Sequence, residues 1–356
     1  MRLKNRYRLA DFLTTLFIWL LSLFILSLVK LQDLNYQYIK EIYENQNITK
    51  SNIYYLILIL GLSFGSLFGL LNSIVYPQYI KSNSFIKNLL IRALFFLLVF
   101  FISYIILIVV YHSNFLISYK EKELPLDNSI LIFLFITVLI NAFCDFVLLV
   151  RKNIGPSYFW YLLKGKYIKP REEERIFMFL DLSSSTTIAE KIGHLKFSLM
   201  LQECFQKLSS IILDYEAEIY QFVGDEAVLT WKINQRSNLE DCVSLYFHFT
   251  QILIHHKDQF IKKYDCVPQF KASLHMGKVT MTLVGDIKTE IVFHGDVLNT
   301  AARIQSLCNL YKSHLLISNT FYSKLKKMEN YNFHPIQNVS LTGKKQTTTI
   351  YNVILK

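Results

Sequence analysis

Four long apolar segments in the first 150 residues most limit what this half of the chain can form. They span about Phe12–Val29, Ile53–Tyr76, Ala93–Tyr111 and Ser129–Val150. Each is close to or above the roughly 20 residues that an α-helix needs to cross a bilayer. Because backbone inside lipid must satisfy its own hydrogen bonds, such segments form helices. They predict an α-helical four-span membrane domain over residues 1–152, with the lipid bilayer as a partner.

Lysine and arginine residues cluster on one side of these predicted spans. Arg2, Lys4, Arg6 and Arg8 precede the first span, Lys81, Lys87 and Arg92 separate the second from the third, and Arg151 and Lys152 follow the fourth. Cytoplasmic loops carry such an excess of basic residues. We therefore expect a multi-pass protein of the cytoplasmic (inner) membrane, with both termini in the cytoplasm. Membrane orientation accounts for the net charge of +11, and we expect no nucleic-acid partner.

Glycine residues recur every four positions in the second segment, at Gly61, Gly65 and Gly69. A face of small residues lets helices approach each other closely. The pattern indicates either a dimer seam or close packing inside one helical bundle.

A juxtamembrane linker over residues 153–174 comes after the fourth segment. Its aromatic run Tyr158–Tyr161 is typical of a membrane interface, and Lys164, Lys166, Lys169 and Arg171 would face lipid head groups. The linker either transmits movement of the spans to the C-terminal half of the chain or serves as a passive tether.

Residues 175–356 predict a mixed α and β domain. Ile176–Leu180 is a short apolar run typical of a strand buried on both faces. Apolar residues then step by three or four from Leu201 to Tyr215, which predicts a long helix covering a sheet. Further strands are expected at Glu218–Phe222, Ala227–Trp231, Phe270–His275, Val279–Val284, Leu315–Ser318 and Thr349–Ile354, with helices over Asp241–Tyr264 and from Asp296. The five cysteines have no paired spacing and are interpreted as reduced thiols.

Asp181 ends the opening strand, and a hydroxyl-rich segment, Ser183–Thr187, comes directly after it. Thr187 and Glu190 have the spacing of a helix capping box. A carboxylate beside unpaired helix amides suits a divalent cation and the phosphates that accompany it. The alternative is an ordinary strand–loop–helix with a solvated aspartate.

Asp225 lies in a predicted hairpin turn, where an aspartate is common for structural reasons alone. If this hairpin neighbours the opening strand, Asp181 and Asp225 form a two-carboxylate site for hard cations, with the Leu182 carbonyl in the shell. Glu226 would then point to the opposite face and be the poorer ligand.

Asn299 and Arg303 are four residues apart on a predicted helix, so they share one face. Arginine offers a planar fork for phosphate oxygens, and asparagine can donate to a ribose or backbone oxygen. With two carboxylates upstream, the pair indicates a phosphoryl-transfer site.

These motifs, in this order, resemble the catalytic domain of class III nucleotide cyclases, the family of adenylyl and guanylyl cyclases. The resemblance covers about Glu174–Leu355. It depends on Phe179–Leu182 with Ser185 and Thr186, on Val223–Asp225, on Leu274–Gly277 and on His294–Arg303. It implies a ferredoxin-like or palm-type α+β fold over residues 175–356, in a membrane-anchored protein of bacterial type.

The resemblance assigns roles residue by residue. Asp181 and Asp225 would bind two Mg²⁺ or Mn²⁺ ions for attack of the ribose 3′-hydroxyl on the α-phosphate. Asn299 would orient the ribose, and Arg303 would stabilise charge at the α-phosphate. The substrate-binding set would comprise Lys271 at the terminal phosphates and the loop residues Ser183, Ser184, Ser185 and Thr186. A homodimer would build two sites, with the aspartates of one subunit facing the Asn and Arg of the other.

The chain departs from the family where adenine is selected. The family's Lys and Asp are replaced by Gln221 and Val292, and Lys344 or Lys345 would have to replace a triphosphate-binding Lys before Gly343. ATP is the expected nucleoside triphosphate because adenylyl cyclases are frequent in the family. The alternatives are a guanylate or pyrimidine nucleotide cyclase, a diguanylate cyclase, and a membrane receptor that binds nucleotide without catalysis. The diguanylate cyclase is disfavoured because its second Gly and the Phe after it are missing from Gly224–Glu226.

Overall fold

The structure is a computed structural model that describes residues 3–33, 50–75, 90–91, 93–95, 97–98, 101, 128–233, 238–326, 328–344 and 346–356. One compact unit covers Asn5–Pro156 and another contains Ser157–Lys356. Most of the third predicted span, the basic loop around Lys81 and Lys87, and Lys345 lie outside the described residues.

The described part of the N-terminal unit includes three long helices. They are α1 (Leu3–Asp33), α2 (Lys50–Leu70), which continues into a π-helical turn at Leu71–Val75, and α3 (Asn128–Ile154). The fully buried Trp19 stacks on Phe64 and Phe68 at ring distances of 5.5 and 5.4 Å. Within the described residues, one helical segment, Asn5–Leu26, is long and apolar enough to cross a bilayer. The four-span arrangement stays a prediction.

The glycine face of α2 packs against α1. An added Cβ would lie 2.8 Å from Leu20 at Gly61, 2.8 Å from Leu16 at Gly65 and 2.8 Å from Phe12 at Gly69. The glycines therefore permit close packing of two helices inside this chain. This agrees with the interpretation of the glycine face as packing within one helical bundle.

Arg151 is also engaged inside the N-terminal unit. Its Nη1 atom lies 2.6 Å from Asp11 Oδ1, and its side chain is 3% exposed. Arg151 is one of the basic residues that follow the fourth predicted span, and its buried guanidinium has the carboxylate partner that such a group needs.

The C-terminal unit is built on one mixed sheet, with eight strands among the described residues. The strands are β1 (Arg171–Leu182), β2 (Glu218–Val223), β3 (Glu226–Lys232), β4 (Phe270–Val284), β5 (Glu290–His294), β6 (Leu315–Ser318), β7 (Tyr331–Val339) and β8 (Thr348–Leu355). Their order is β2-β3-β1-β4-β6-β8-β7, and β5 pairs with β4. All described pairs are antiparallel except β4 with β6. This confirms the predicted α+β class.

Helices cover both faces of this sheet. They are α4 (Pro156–Leu163), α5 (Ser185–Ile192), α6 (His194–Ile212), α7 (Glu240–His255), α8 (Lys257–Tyr264), α9 (Asp296–Ser306) and α10 (Asn319–Tyr322). Ile176, Met178 and Leu180 of β1 join the core under α6 and α7. Phe177 and Phe179 join a second core with Val297 and Ala301 of α9. The prediction that β1 is buried on both faces is confirmed.

Two predicted element boundaries were wrong. The strands expected on either side of Gly277 are one continuous strand, β4. Gly277 is needed for close approach, because an added Cβ would lie 2.8 Å from Val297 of α9. The helix expected over Asp241–Tyr264 is interrupted at His256, where α7 ends and α8 begins.

The predicted capping box is also absent. Helix α5 begins at Ser185, after Ser184 in a left-handed conformation (φ 55°), and no side chain caps it. Thr187 is therefore inside the helix. A capping residue must precede the helix to accept from its first amides, so Thr187 cannot serve.

Part of the linker packs on the C-terminal unit. Tyr158, Tyr161 and Tyr167 pack with the second core. Lys166 Nζ lies 3.0 Å from Glu173 Oε1. The sequence had suggested that Lys166 faces lipid head groups. Its charge is instead paired with a carboxylate of its own chain.

Candidate active site

The carboxyl end of β1 brings together residues from three strands. Asp181 is opposite Glu226 of β3 and opposite Lys271 of β4 in the strand ladders. Asp225 occupies the two-residue turn between β2 and β3, where Gly224 supplies the positive φ of 60°. The hairpin is therefore a direct neighbour of β1, which is the condition that the sequence set for a two-carboxylate site.

Two donors converge on one oxygen of Asp181. Lys271 Nζ lies 3.2 Å from Asp181 Oδ2, and Gln305 Nε2 donates to the same oxygen at 2.9 Å. The Asp181 side chain is 20% exposed. Among the described residues, no hydrogen bond or ion pair reaches the other oxygen, Oδ1. The carboxylate is held on one side and open on the other.

Negative charge accumulates at this end of the sheet. Burial raises the pKa of Asp181, the hydrogen bond from Lys271 offsets part of that effect, and the charge of Asp225 raises it again. Burial raises the pKa of Glu226 to about 7, with the charges of Asp181 and Asp225 adding to it. Carboxylates that repel one another favour protonation or a bound cation. Their oxygen atoms are the ligands that Mg²⁺ and Mn²⁺ prefer.

The expected face of Glu226 was wrong. Residues directly opposite one another in an antiparallel ladder project to the same face, so Glu226 lies on the face of Asp181. Even so, no group of three or more His, Cys, Asp or Glu residues in the described part of the chain has a metal-binding arrangement. Asp181, Asp225 and the carbonyl of Leu182 at the end of β1 stay the predicted cation ligands.

The loop after β1 offers fewer amides than expected. Ser183 donates its amide to the Gln269 carbonyl at 2.8 Å, so this amide is already used. Helix α5 begins at Ser185, and its first amides, including Thr186, have no acceptor within the helix. Ser184 is exposed at the bend before them.

A second group of polar residues lies on and beside α9. Asn299 is exposed and Arg303 is half-buried. Lys344 Nζ lies 2.8 Å from Asp296 Oδ2 at the start of this helix. A Cβ added to Gly343 would lie 3.4 Å from Arg303 Nη2, so the Gly343–Lys344 turn lies against the Arg303 guanidinium. Asn299, Arg303 and Lys344 therefore form one donor-rich surface.

Within the described residues of one chain, the two groups are not linked by polar contacts. No hydrogen bond or ion pair in the described residues joins Asn299 or Arg303 to either aspartate. Lys271, which the family resemblance assigned to terminal phosphates, pairs with Asp181 here.

Each of the two positions that replace the family's adenine-selecting residues is next in sequence to an aromatic residue. Gln221 is exposed on β2 and Val292 is half-buried on β5. The neighbouring rings of Tyr220 and Phe293 lie 4.7 Å apart.

The side chain of His275 is packed within the sheet and hydrogen-bonded, as expected for a residue with a structural role. Its Nδ1 lies 2.8 Å from Ser318 Oγ, and burial lowers its pKa to about 4, with the charge of Lys344 adding to the effect. The ring is neutral at physiological pH, in agreement with its interpretation as a packed strand residue.

Sequence reasoning missed Gln305. The available signal was a polar residue within an apolar stripe, which contains Val297, Ala301 and Ile304 of α9 and continues to Cys308 just after the helix. A buried polar side chain requires a partner, and here the partner is Asp181.

Comparisons with known proteins agree with this geometry. Residues 168–354, more than half of the 356-residue chain, match the family described as adenylate and guanylate cyclase catalytic domain. Adenylate cyclase 2 of Rhizobium meliloti (strain 1021) is 35% identical over 181 residues, which are 51% of this chain and 50% of that protein. Adenylate cyclase 1 of the same organism is 24% identical over 211 residues, 58% of this chain and 30% of that protein. The chain thus spans half or less of these relatives.

Solved structures share the fold. A bacterial light-regulated adenylyl cyclase superimposes with a TM-score of 0.52 at 16% identity, over 66% of this chain and 67% of that one.

Proposed function

Because the chain belongs to the adenylate and guanylate cyclase catalytic domain family, we propose that it is a nucleotide cyclase that converts ATP into 3′,5′-cyclic AMP and pyrophosphate. The observation that carries the proposal is the carboxylate pair Asp181 and Asp225 at the end of β1, in a chain that also presents Asn299 and Arg303 on α9. The adenylate cyclase names of the two relatives support ATP as the substrate.

Asp181 and Asp225 would hold two Mg²⁺ or Mn²⁺ ions, with the Leu182 carbonyl beside them. When bound, such ions lower the pKa of the attacking hydroxyl and neutralise the triphosphate. Lys271 would exchange its contact with Asp181 for the terminal phosphates. The open amides of Ser185 and Thr186 would donate hydrogen bonds to phosphate oxygens at the start of α5.

The donor-rich surface would complete the site. Asn299 would hold the ribose so that its 3′-oxygen faces the α-phosphorus. The new bond forms between these two atoms, the bond from the α-phosphorus to the bridging oxygen breaks, and pyrophosphate leaves with the electron pair. The 3′-hydroxyl proton passes to solvent. Arg303 would stabilise the charge that develops at the α-phosphate, and Lys344 would bind the terminal phosphates after leaving Asp296.

The two groups would meet between subunits. Because no polar contact links them within one chain, we infer a homodimer with two equivalent sites, each using the aspartates of one subunit and Asn299 and Arg303 of the other. Asp181→Ala and Arg303→Ala proteins, each inactive alone, should regain about a quarter to a half of wild-type activity per dimer when co-expressed. Absence of recovery in a folded, mixed dimer would refute shared sites.

The product experiment tests the proposal directly. Detergent-purified full-length protein is incubated with each of the four ribonucleoside triphosphates and Mn²⁺, and products are identified by mass spectrometry, with Asp181→Asn as control. Cyclic AMP is the expected product. A cyclic product from GTP, CTP or UTP alone would instead identify a guanylate or pyrimidine cyclase, the second candidate favoured by Gln221 and Val292. Tight nucleotide binding without pyrophosphate release would indicate the non-catalytic receptor.

We also propose that the N-terminal unit anchors the protein in the cytoplasmic membrane, with four spans and a cytoplasmic catalytic domain. The apolar segment Asn5–Leu26 supports anchoring. The protein should stay in the membrane fraction after carbonate extraction, and a C-terminal tag should be protected from protease in intact cells.

A further inference from the structure

Gln305 is a buried polar residue in contact with a proposed cation ligand. Gln305 is 8% exposed, and its side-chain amide donates a hydrogen bond to Asp181 Oδ2 at 2.9 Å. Lys271 reaches the same oxygen at 3.2 Å. Two donors on one oxygen fix the orientation of the Asp181 carboxylate. Its other oxygen, Oδ1, is then available to bind a cation.

Helix α9 presents different residues on its two faces. Val297, Ala301 and Gln305, spaced by four, face the sheet, and Ser273 Oγ donates to the Ala301 carbonyl at 2.7 Å. Asn299 and Arg303 are on the other, more exposed face. One rigid helix therefore contacts Asp181 of its own chain while it carries the donors proposed to serve the partner's site.

We propose that Gln305 is a positioning residue that orients Asp181 for cation binding and couples this carboxylate to the helix that carries Asn299 and Arg303. The inference depends on the proposed function for the identity of the cation site. Gln305 touches neither nucleotide nor cation; it acts through Asp181. Because the two faces of α9 would serve opposite sites of a dimer, the same helix links the cation ligand of one site to the donors of the other.

The first test is cation binding without catalysis. Mn²⁺ is titrated into full-length Gln305→Met, which keeps the side-chain volume and removes the donor, and free Mn²⁺ is measured by electron paramagnetic resonance. Partners of metal ligands typically contribute about 10–100-fold to affinity, so we expect Mn²⁺ to bind about tenfold more weakly. Gln202→Met, an exposed position on α6, makes the same chemical change as a control and should leave Mn²⁺ binding unchanged.

The second test uses the single working site of a mixed dimer. In a pair of Arg303→Ala and Asp181→Ala subunits, the working site takes Asp181 from the first subunit and Arg303 from the second. Gln305→Met added to the Arg303→Ala subunit should raise the Mn²⁺ concentration for half-maximal activity about tenfold. The same change in the Asp181→Ala subunit should leave that concentration unchanged, because the aspartate it touches is already absent.

The outcomes separate this inference from the proposed function. Unchanged Mn²⁺ affinity in Gln305→Met, or an equal effect in both subunits of the mixed dimer, would overturn the role of Gln305. If Gln305→Met fails to fold, Gln305→Asn, which withdraws the donor by one methylene, takes its place with the same expectations. If the mixed dimer with intact Gln305 is inactive, the shared-site function fails, and the Mn²⁺ titration still decides the role of Gln305.

Discussion

Strand β1 carries buried charge at both of its ends, and the two ends differ in how that charge is compensated. Near its start, the Arg175 side chain is 0% exposed and contacts Glu218 at 2.9 Å and Glu173 at 3.2 Å. Near its end, Asp181 shares its environment with two further carboxylates, Asp225 and Glu226, and has one cation beside it, Lys271.

At the start of β1, the buried charges are compensated by other residues of the same chain. Burial alone would raise the pKa of Glu173, but donors from Lys232, Lys166 and Tyr167 and the charge of Arg175 lower it to about 2. The end of β1 has the opposite imbalance, since the pKa of Glu226 rises to about 7. The comparison teaches that the first cluster is a structural ion network, whereas the second is relieved by protonation or by a cation from outside the chain.

The largest expected effect is on activity at the end of β1. Asp225→Ala should lower kcat by about a thousandfold, or ~4 kcal/mol of transition-state stabilisation, because it removes a proposed cation ligand. Its melting temperature without metal should stay the same or rise, because a repelling charge is lost. Asp286→Ala changes the exposed aspartate of another Gly-Asp turn and should retain activity. A lower melting temperature of metal-free Asp225→Ala would contradict the view that the carboxylates at the end of β1 repel one another.

At the start of β1 the same type of change should act on stability. Arg175→Met leaves Glu173 and Glu218 buried without their shared cation. Removing one partner of a buried ion pair costs about 3–5 kcal/mol, and chemical denaturation followed by Trp231 fluorescence measures it. Lys191→Met breaks a surface pair with Asp265, whose side chains are 56% and 77% exposed, and should have a small effect. An Arg175→Met protein as stable as wild type would show that the network is dispensable.

Acid should affect the two ends in opposite directions. Glu226 has a folded-state pKa of about 7, above its ordinary 4.5, so its contribution to stability is present below pH 4.5 and lost as pH rises through 7. Glu173 has a folded-state pKa of about 2, so its contribution is present above pH 4.5 and lost as pH falls towards 2. Glu226→Gln in metal-free protein should therefore reduce the loss of stability between pH 4.5 and 7 by about 1 kcal/mol, a value discounted for solvent screening.

Glu173→Gln is the matched variant, since it should flatten the acid side of the stability profile below pH 4.5 and lower stability at neutral pH. Melting temperatures across the pH range measure both. A Glu226→Gln profile parallel to that of wild type would show that burial and the charges of Asp181 and Asp225 do not raise the pKa of Glu226 in the folded protein.

Local sequence patterns predicted much of the site. The apolar run of β1 ends at Asp181, the turn residues of Gly224 and Asp225 indicate a hairpin, and the α9 helix beginning at Asp296 was expected. Each of these features is encoded within a few neighbouring residues, where periodicity and turn chemistry apply.

What could not be predicted depends on register and on distant contacts. The face on which Glu226 lies is set by its pairing with Asp181, 45 positions earlier. The contact of Gln305 with Asp181 joins residues 124 positions apart. Gly277 looked like a turn residue, and only the packing of α9 on β4 shows that it permits close approach.

The smallest expected effect concerns the redundancy of the network at the start of β1. Lys166 and Lys232 both contact Glu173 Oε1, at 3.0 and 2.8 Å, and their side chains are 25% and 40% exposed. Either Lys166→Met or Lys232→Met should cost at most about 1 kcal/mol, because partly exposed pairs are weak and the other donors remain.

The double variant of Lys166 and Lys232 should cost more than the sum of the single ones, by about 0.5 kcal/mol or more, because it leaves Glu173 with Tyr167 and Arg175 alone. A double-mutant cycle measured by chemical denaturation gives this coupling. Strict additivity would mean that the lysines act independently, and the start of β1 would then owe its compensation to Arg175 rather than to a connected network.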